Sequence, residues 1–322
     1  MLTPASSTVE GSASLSDPNV CRGAVTVGTE DGKPVQLAYT CYGQVEAPVH
    51  LLLIHGLFDD QRTWQYLLPH LRHDDRYMVT VDLLGAGLSS TPHLATTPAT
   101  HRYDADLHVK QLRQLIAELS LRNLVLMGSS LGGGLALRML CTPWPDRPAM
   151  VGLILEDAAA YPQQIPSLLR VFQGRLGSLI TAPWSRRVLL SLGIAQWVIK
   201  RSIRRAFADP DAIPPGLWER YLSLLTSSQR IRAAQETARN MVPSNMDWIV
   251  DAYSSVAWPT LVCWGRQDRV ISPLYAQRLA EDLPQSRLHL IDDCGHAPHL
   301  EKPRQLAQTI GEWLCEVGGE TR

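Results

Sequence analysis

Leu124-Val125-Leu126-Met127-Gly128-Ser129-Ser130-Leu131-Gly132-Gly133 sets four consecutive apolar residues directly before a G-x-S-x-G pattern. The apolar run reads as a buried strand. Leu131, Leu135, Ala136, Met139 and Leu140 then recur at the three- and four-residue spacing of a helix. A serine held between the two, in a tight strand-to-helix turn, is forced into a strained backbone conformation that lifts its hydroxyl clear of the sheet. Glycine is needed at 128 and 132 because a side chain at either position would collide with the packed strand and helix. Ser130 is the candidate nucleophile, against the plainer reading of a glycine-rich turn with an idle serine.

A neutral serine hydroxyl attacks poorly. It needs an imidazole to take its proton and a carboxylate to set the tautomer of that imidazole. Both residue types follow in the order serine, acid, histidine. Pro259-Thr260-Leu261-Val262-Cys263-Trp264-Gly265 reads as a strand, with Asp268 in the loop beyond it. Leu288 to Ile291 reads as another strand, leading into Asp292-Asp293-Cys294-Gly295-His296. Asp268 is the expected acid and His296 the expected general base. Asp157, which follows the strand Leu153 to Glu156, is a rival acid, and Asp268 has the alternative of capping a helix or bonding Arg269. An acyl-transfer site also needs donors for the developing oxyanion. The backbone amides of Leu131 and Leu57 are the expected pair, with Phe58 next in line, because Val49 to Leu57 reads as a strand ending in His55-Gly56. His55 is expected to bond within its own loop, since a second catalytic histidine would have no task.

Taken together, His55-Gly56, the turn at Ser130, Trp264-Gly265-Arg266-Gln267-Asp268-Arg269-Val270 and Gly295-His296 resemble the α/β-hydrolase superfamily. The similarity is to its capped branch of esterases, carbon-carbon bond hydrolases and cofactor-free peroxidases. Asp82-Leu83-Leu84-Gly85-Ala86-Gly87-Leu88-Ser89 is similar to the family's glycine-rich turn, and Asp82 reads as a carboxylate that fixes this turn through nearby amides. The resemblance implies a mostly parallel, doubly wound α/β sheet with an inserted helical cap. Serine at 130 argues against the haloalkane dehalogenases and epoxide hydrolases, for which the resemblance implies an aspartate nucleophile. Ala297-Pro298-His299-Leu300-Glu301 lacks the tryptophan typical of meta-cleavage product hydrolases. The expected activity is hydrolysis of carboxylic esters with an apolar acyl or alcohol portion, through an acyl-enzyme on Ser130, with no metal or organic cofactor. A carbon-carbon hydrolase or cofactor-free peroxidase with the same three residues, or a ligand receptor on the same fold, stands as the alternative.

Strand and helix signals alternate from Val35 to Ile154 and again from Thr260 to Leu314, as in a parallel-rich sheet covered by helices on both faces. The expected organisation is a disordered segment over 1–22, a core over 23–157 and 247–322, and a helical cap over 158–246. Within the cap, helices are expected over Leu168 to Leu179, Arg186 to Ile194, Ala195 to Phe207, Pro215 to Leu225 and Arg230 to Met241. At 322 residues, 45% hydrophobic and 19% charged, the chain reads as a soluble enzyme with no bilayer-spanning run. Six cysteines without C-x-x-C or zinc spacing, and the lack of a signal-peptide pattern, point to a cytoplasmic protein. Cys294, close to His296, is read as a buried thiol.

From Ala158 to Ala208 there is no Asp or Glu, yet there are eight basic residues: Arg170, Arg175, Arg186, Arg187, Lys200, Arg201, Arg204 and Arg205. The plain reading is solvated helix faces. Coupled to Leu168, Leu169, Phe172, Trp184, Trp197 and Ile199, the same stretch reads as a surface for peripheral contact with anionic membrane, or one that receives an acidic substrate. With a formal net charge of -1 and no binding motif, nucleic acid is not an expected partner.

Overall fold

A computed structural model describes residues 19–162, 167–174, 177–178, 182–242 and 245–319. Its strands are β1 (Val20–Glu30), β2 (Lys33–Tyr42), β3 (Val49–Ile54), β4 (Arg76–Val81), β5 (Leu124–Ser129), β6 (Met150–Glu156), β7 (Thr260–Gly265) and β8 (Ser286–Ile291). They form one sheet in the order β1-β2-β4-β3-β5-β6-β7-β8. β1 and β2 form an antiparallel hairpin, β2 runs antiparallel to β4, and every pair from β4 to β8 is parallel.

The run at Leu124 is apolar throughout because a parallel strand of this kind is covered on both faces. Successive side chains point to opposite sides, so each strand feeds two cores. Leu52, Ile54, Leu124, Leu126, Leu153, Leu155, Val262 and Trp264 face one of them. There they meet α2 (Ala105–Glu118), α3 (Leu131–Cys141) and α10 (Leu274–Asp282). Leu51, Leu53, Val125, Met127, Ile154, Leu261 and Cys263 face the other. These pack on α1 (Leu68–Leu71) and α12 (Pro303–Gly319) through Leu68, Leu71, Leu306, Ile310 and Trp313. Burying each such leucine, isoleucine or valine stabilises the fold by roughly 1.5–3 kcal/mol.

Between β6 and β7 the chain leaves the sheet for α4 (Ser167–Gln173), α5 (Pro183–Ser191), α6 (Ile194–Ala206), α7 (Leu217–Leu224) and α8 (Ser228–Asn240), then returns through α9 (Met246–Asp251). The helix expected over Leu168 to Leu179 ends at Gln173, and residues 175, 176 and 179 lie outside the described residues. A short α11 (Pro298–Glu301) separates β8 from α12. Ile203, Phe207 and Leu217 of the insertion form a small core with Ala297 and Leu300, just beyond His296.

The N-terminal expectation needs a correction. Disorder was expected over 1–22, but β1 begins at Val20, where Val20, Cys21 and Arg22 pair with Tyr42, Cys41 and Thr40. The polar composition hid a strand whose order comes from its partner across the hairpin. Residues 1–18 lie outside the described residues. Among the described residues, no helix is long and apolar enough to cross a membrane.

Candidate active site

Sheet order places the site. The progression of strands reverses between β3 and β5, and ligands of open α/β sheets bind outside the carboxyl ends at such a switch point. Ile54 of β3 is level with Gly128 of β5, so the loop after β3 emerges beside Ser130. Ser129 is level with Glu156, Glu156 with Cys263, and Gly265 with Ile291. The loops carrying Asp157, Asp268 and His296 therefore leave the same edge of the sheet.

Ser130 sits at φ 52°, ψ -115°, the strained turn that the sequence demanded. The flanking glycines are steric necessities: a Cβ on Gly128 would lie 2.3 Å from the Gly132 carbonyl carbon, and one on Gly132 would lie 2.1 Å from the Ile54 oxygen. The Ser130 amide donates to Glu156 O at 2.9 Å, and its carbonyl accepts from Ala159 N at 2.9 Å. Both bonds fix the turn against the end of β6.

Ser130 Oγ lies 3.2 Å from His296 Nε2, and His296 Nδ1 lies 2.7 Å from Asp268 Oδ2. The carboxylate holds the proton on Nδ1, which leaves Nε2 as an acceptor for the serine hydroxyl. Asp268 is anchored in turn, its Oδ1 accepting from Val270 N at 2.7 Å and Ile271 N at 3.0 Å. Burial, the largest single influence on His296, pulls its pKa down. The charge and hydrogen bond of Asp268, with the charge of Glu156, outweigh it and leave the pKa raised above the ordinary 6.5.

Asp157 is also present at this centre. One ligand atom from each of Asp157, Asp268 and His296 lies within 4.8 Å of the others. Both ring nitrogens of His296 are engaged, one with Asp268 and one with Ser130, so the cluster is arranged as a hydrogen-bonded chain rather than as an open set of cation ligands. Cys294 is buried, and burial drives its thiol pKa upward, away from the reactive thiolate.

The first turn of α3 offers the Leu131 amide, which has no intrahelical acceptor at that position. The loop after β3 approaches from the other side, and a Cβ on Gly56 would lie 3.2 Å from Ser130 Cβ. The Leu57 amide has no acceptor among the described residues and follows directly from this close approach. His55 is structural: Nδ1 donates to Gly56 O at 2.8 Å and Nε2 accepts from Leu83 N at 3.0 Å. Asp82 ties its turn together, accepting from Gln61 N, Gln61 Nε2 and Leu88 N at 2.7, 2.9 and 2.8 Å.

Three supports lay beyond the sequence reading, because each joins elements distant in the chain. The Glu301 carboxylate accepts from Gly295 N at 2.9 Å and from Ala208 and Asp209 N at 2.9 Å each, while His296 N donates to Ala206 O at 2.6 Å. The end of α6 is thereby bonded to the histidine loop. Glu156 holds His299 at 2.8 Å, and His299 reaches Thr63 at 2.7 Å. Arg220 of α7 pairs with Asp59, three residues past Gly56, at 2.8 Å, with both side chains 9% exposed. Tyr221 adds a bond to the same carboxylate at 3.3 Å. Removing one partner of such a buried pair strands the other charge, so Arg220→Ala is expected to destabilise the fold by about 3–5 kcal/mol. Urea unfolding of the variant checks this, and a change under 1 kcal/mol would mean the pair is effectively solvated.

The model of the family described as the alpha/beta hydrolase family matches residues 51–309, which include most of β3, the turn at Ser130, Asp268 and His296. The chain belongs to the α/β-hydrolase family. Monoacylglycerol lipase ABHD6 of Bos taurus is 23% identical over 293 residues, covering 88% of this chain and 80% of the relative. The 2-hydroxymuconate semialdehyde hydrolase of Pseudomonas sp. (strain CF600) is 25% identical over 277 residues, covering 83% of this chain and 87% of the relative. Among solved structures, a thermophilic esterase from Thermogutta terrifontis superposes with a TM-score of 0.70 at 24% identity, over 92% of this chain and 99% of the other. At that identity the structural likeness speaks for the fold alone.

Proposed function

We propose that this α/β-hydrolase family member is a serine hydrolase that cleaves carboxylic esters with an apolar acyl or alcohol portion. The observation that carries the reading is the Ser130–His296–Asp268 chain of 3.2 and 2.7 Å, with the serine on a strained turn. Ser130 Oγ attacks the ester carbonyl as its proton passes to His296 Nε2. The amides of Leu57 and Leu131 receive the oxyanion, each such donor contributing about 3–4 kcal/mol. The tetrahedral intermediate collapses, and the leaving alkoxide takes the proton from His296. Water, deprotonated by the same imidazole, then attacks the acyl-enzyme and frees the acid and Ser130. Leu57 and Phe58 make the loop beside Ser130 apolar, and the Phe58 ring stands edge-on to Phe172 of α4, with centroids 5.2 Å apart. Both support an apolar substrate.

A panel of aryl esters of graded acyl length tests the reading, with saturable turnover as the expected result. The likeness to 2-hydroxymuconate semialdehyde hydrolase supports a second reading, carbon-carbon cleavage by the same residues. Turnover of a vinylogous diketone acid with none of any ester would favour it.

The surface of the insertion supports peripheral contact with anionic membrane. Trp184, Val188, Leu192, Ile194 and Trp197 are exposed on α5, α6 and the turn between them. Lys200, Arg201, Arg204 and Arg205 are exposed on α6, and the Arg201 guanidinium lies 5.8 Å from the Trp197 ring centroid. Phe172 is turned inward to Phe58 and takes no part in this face. Each basic side chain close to an anionic surface contributes about 1 kcal/mol, screened by salt. Changing Lys200, Arg201, Arg204 and Arg205 to Gln is expected to abolish co-sedimentation with phosphatidylserine vesicles at low salt while hydrolysis of a small soluble ester continues. Equal binding of the wild type to neutral and anionic vesicles would remove the membrane from the account. A cytoplasmic location is our proposal for such a peripheral protein, supported by its six cysteines, all of them free thiols.

A further inference from the structure

Two carboxyl groups converge on one histidine here, and the single charge of a Ser-His-Asp chain requires only one. Asp157 is fully buried at the end of β6, in the left-handed region at φ 43°. Its Oδ1 accepts one bond, from Gly265 N at 3.0 Å, at the root of the loop that carries Asp268. Its Oδ2 is buried with no hydrogen-bond partner. A carboxylate oxygen in that state is costly, because a buried charge needs donors around it.

The neighbourhood offers none. Facing Asp157 from the loop after β7 is Asp268, with a carboxylate oxygen within 4.8 Å. Glu156 adds a second negative group from β6 itself. The thiols of Cys263 on β7 and Cys294 before His296 stay neutral, since burial raises the pKa of both. His299 is already engaged with Glu156. His296 donates its Nδ1–H to Asp268, which accepts from three N–H donors in all against one for Asp157. Two close buried carboxyls do not both ionise, and the negative charge settles on the better-solvated one. Burial, then the charges of Asp268 and Glu156, hold the Asp157 pKa well above its ordinary 3.8.

We propose that Asp157 is a neutral carboxylic acid whose O–H is directed at Asp268, a positioning residue that steadies the carboxylate on His296 and stands as its reserve. The reserve role rests on the serine-hydrolase reading, whereas the protonation of Asp157 stands without it. If Asp268 is neutralised, Asp157 releases its proton to solvent and turns to accept the Nδ1–H of His296, a ring nitrogen of which lies within 4.8 Å of one of its oxygens.

Two measurements free of turnover test the protonation. Above pH 3.8 the unfolded chain has lost this proton and the folded protein keeps it, so wild-type stability falls as pH rises toward the folded pKa. Relative to Asp157→Asn, the wild-type folding constant is expected to drop about tenfold per pH unit above pH 3.8 until the folded pKa is reached. Infrared spectra of wild type carrying carboxyl-labelled aspartate are expected to show a protonated aspartic acid at neutral pH, a result that does not depend on any variant folding. Parallel stability curves, or no protonated aspartate, would overturn the proposal. The positioning role is read in turnover. Asp157→Asn, which keeps an N–H donor toward Asp268, is expected to exceed Asp157→Leu by roughly tenfold or more in kcat, with KM little changed. Asp268→Asn is expected to lose about a hundredfold to a thousandfold, recovering as pH rises, and the Asp157→Asn/Asp268→Asn pair about ten-thousandfold with no recovery. A folded double variant as active as Asp268→Asn would remove the reserve role. Wild type inactive on every ester would instead sink the ester-hydrolase reading and leave the two protonation measurements standing.

Discussion

Ser130→Ala is expected to lower kcat for a good aryl ester by about five to six orders of magnitude, or roughly 7–8 kcal/mol of transition-state stabilisation. The loss is large because the three residues act as a unit: without the nucleophile, His296 and Asp268 have nothing to activate. The residual rate over water would come from the Leu57 and Leu131 amides and from substrate binding. The variant is expected to fold, because Ser130 Oγ contributes one bond, to His296, while the backbone bonds of the turn run through its N–H and C=O. Alanine in the strained turn even removes a polar atom without adding bulk. Stability within about 1 kcal/mol of wild type, together with the lost turnover, is the joint result to seek. A folded variant with ordinary activity would dismiss Ser130.

His296→Ala is expected to cost a similar four to six orders of magnitude, because the proton of Ser130 then has no acceptor. The same imidazole predicts the wild-type pH profile. The base acts only when neutral, so kcat/KM rises with pH through the His296 pKa, which lies above the ordinary 6.5. Stability runs the other way. A histidine whose folded pKa is raised by its carboxylate partner contributes fully below pH 6.5, and this contribution is lost as pH rises through the folded pKa. Activity and the His296–Asp268 contribution to stability therefore change in opposite directions over that window. An acid limb below pH 5 would mean that an ordinary carboxylate, not this histidine, controls acylation.

The two halves of the site were unequally legible in the sequence. Ser130 declared itself because local sterics dictate it: an apolar strand, two obligatory glycines and a helix surround it within ten residues. His296 and Asp268 were readable because each follows a strand of the same parallel sheet, and the level strand ends bring the loops together. The supports had no local signal. Glu301 meets Ala208 and Asp209 across 92 to 93 positions, and Arg220 meets Asp59 across 161. Nothing in their neighbours marks them, since an ion pair leaves no periodicity. Asp157 is the instructive case. The sequence presented it as a rival to Asp268, whereas the structure brings both carboxyls to the same histidine, with only Asp268 bonded to it. The boundary at β1 failed for a related reason, because strand order there depends on Tyr42, Cys41 and Thr40 rather than on the polar residues before Val20.

The proposed membrane face and the proposed chemistry meet at one point. The carbonyl of Ala206, at the end of α6, holds the amide of His296, and Glu301 ties Gly295 to the residues that follow α6. The helix that carries the basic and aromatic side chains is thus bonded to the backbone of His296.

Mass spectrometry of the protein after reaction with an aryl phosphonate ester tests the central claim most directly. The phosphonate mimics the tetrahedral intermediate and stays on the nucleophile. One adduct per chain is expected, on the peptide containing Ser130, absent from Ser130→Ala and slow to form in His296→Ala. An active wild type that gains its adduct on another residue, or gains none, would contradict the account.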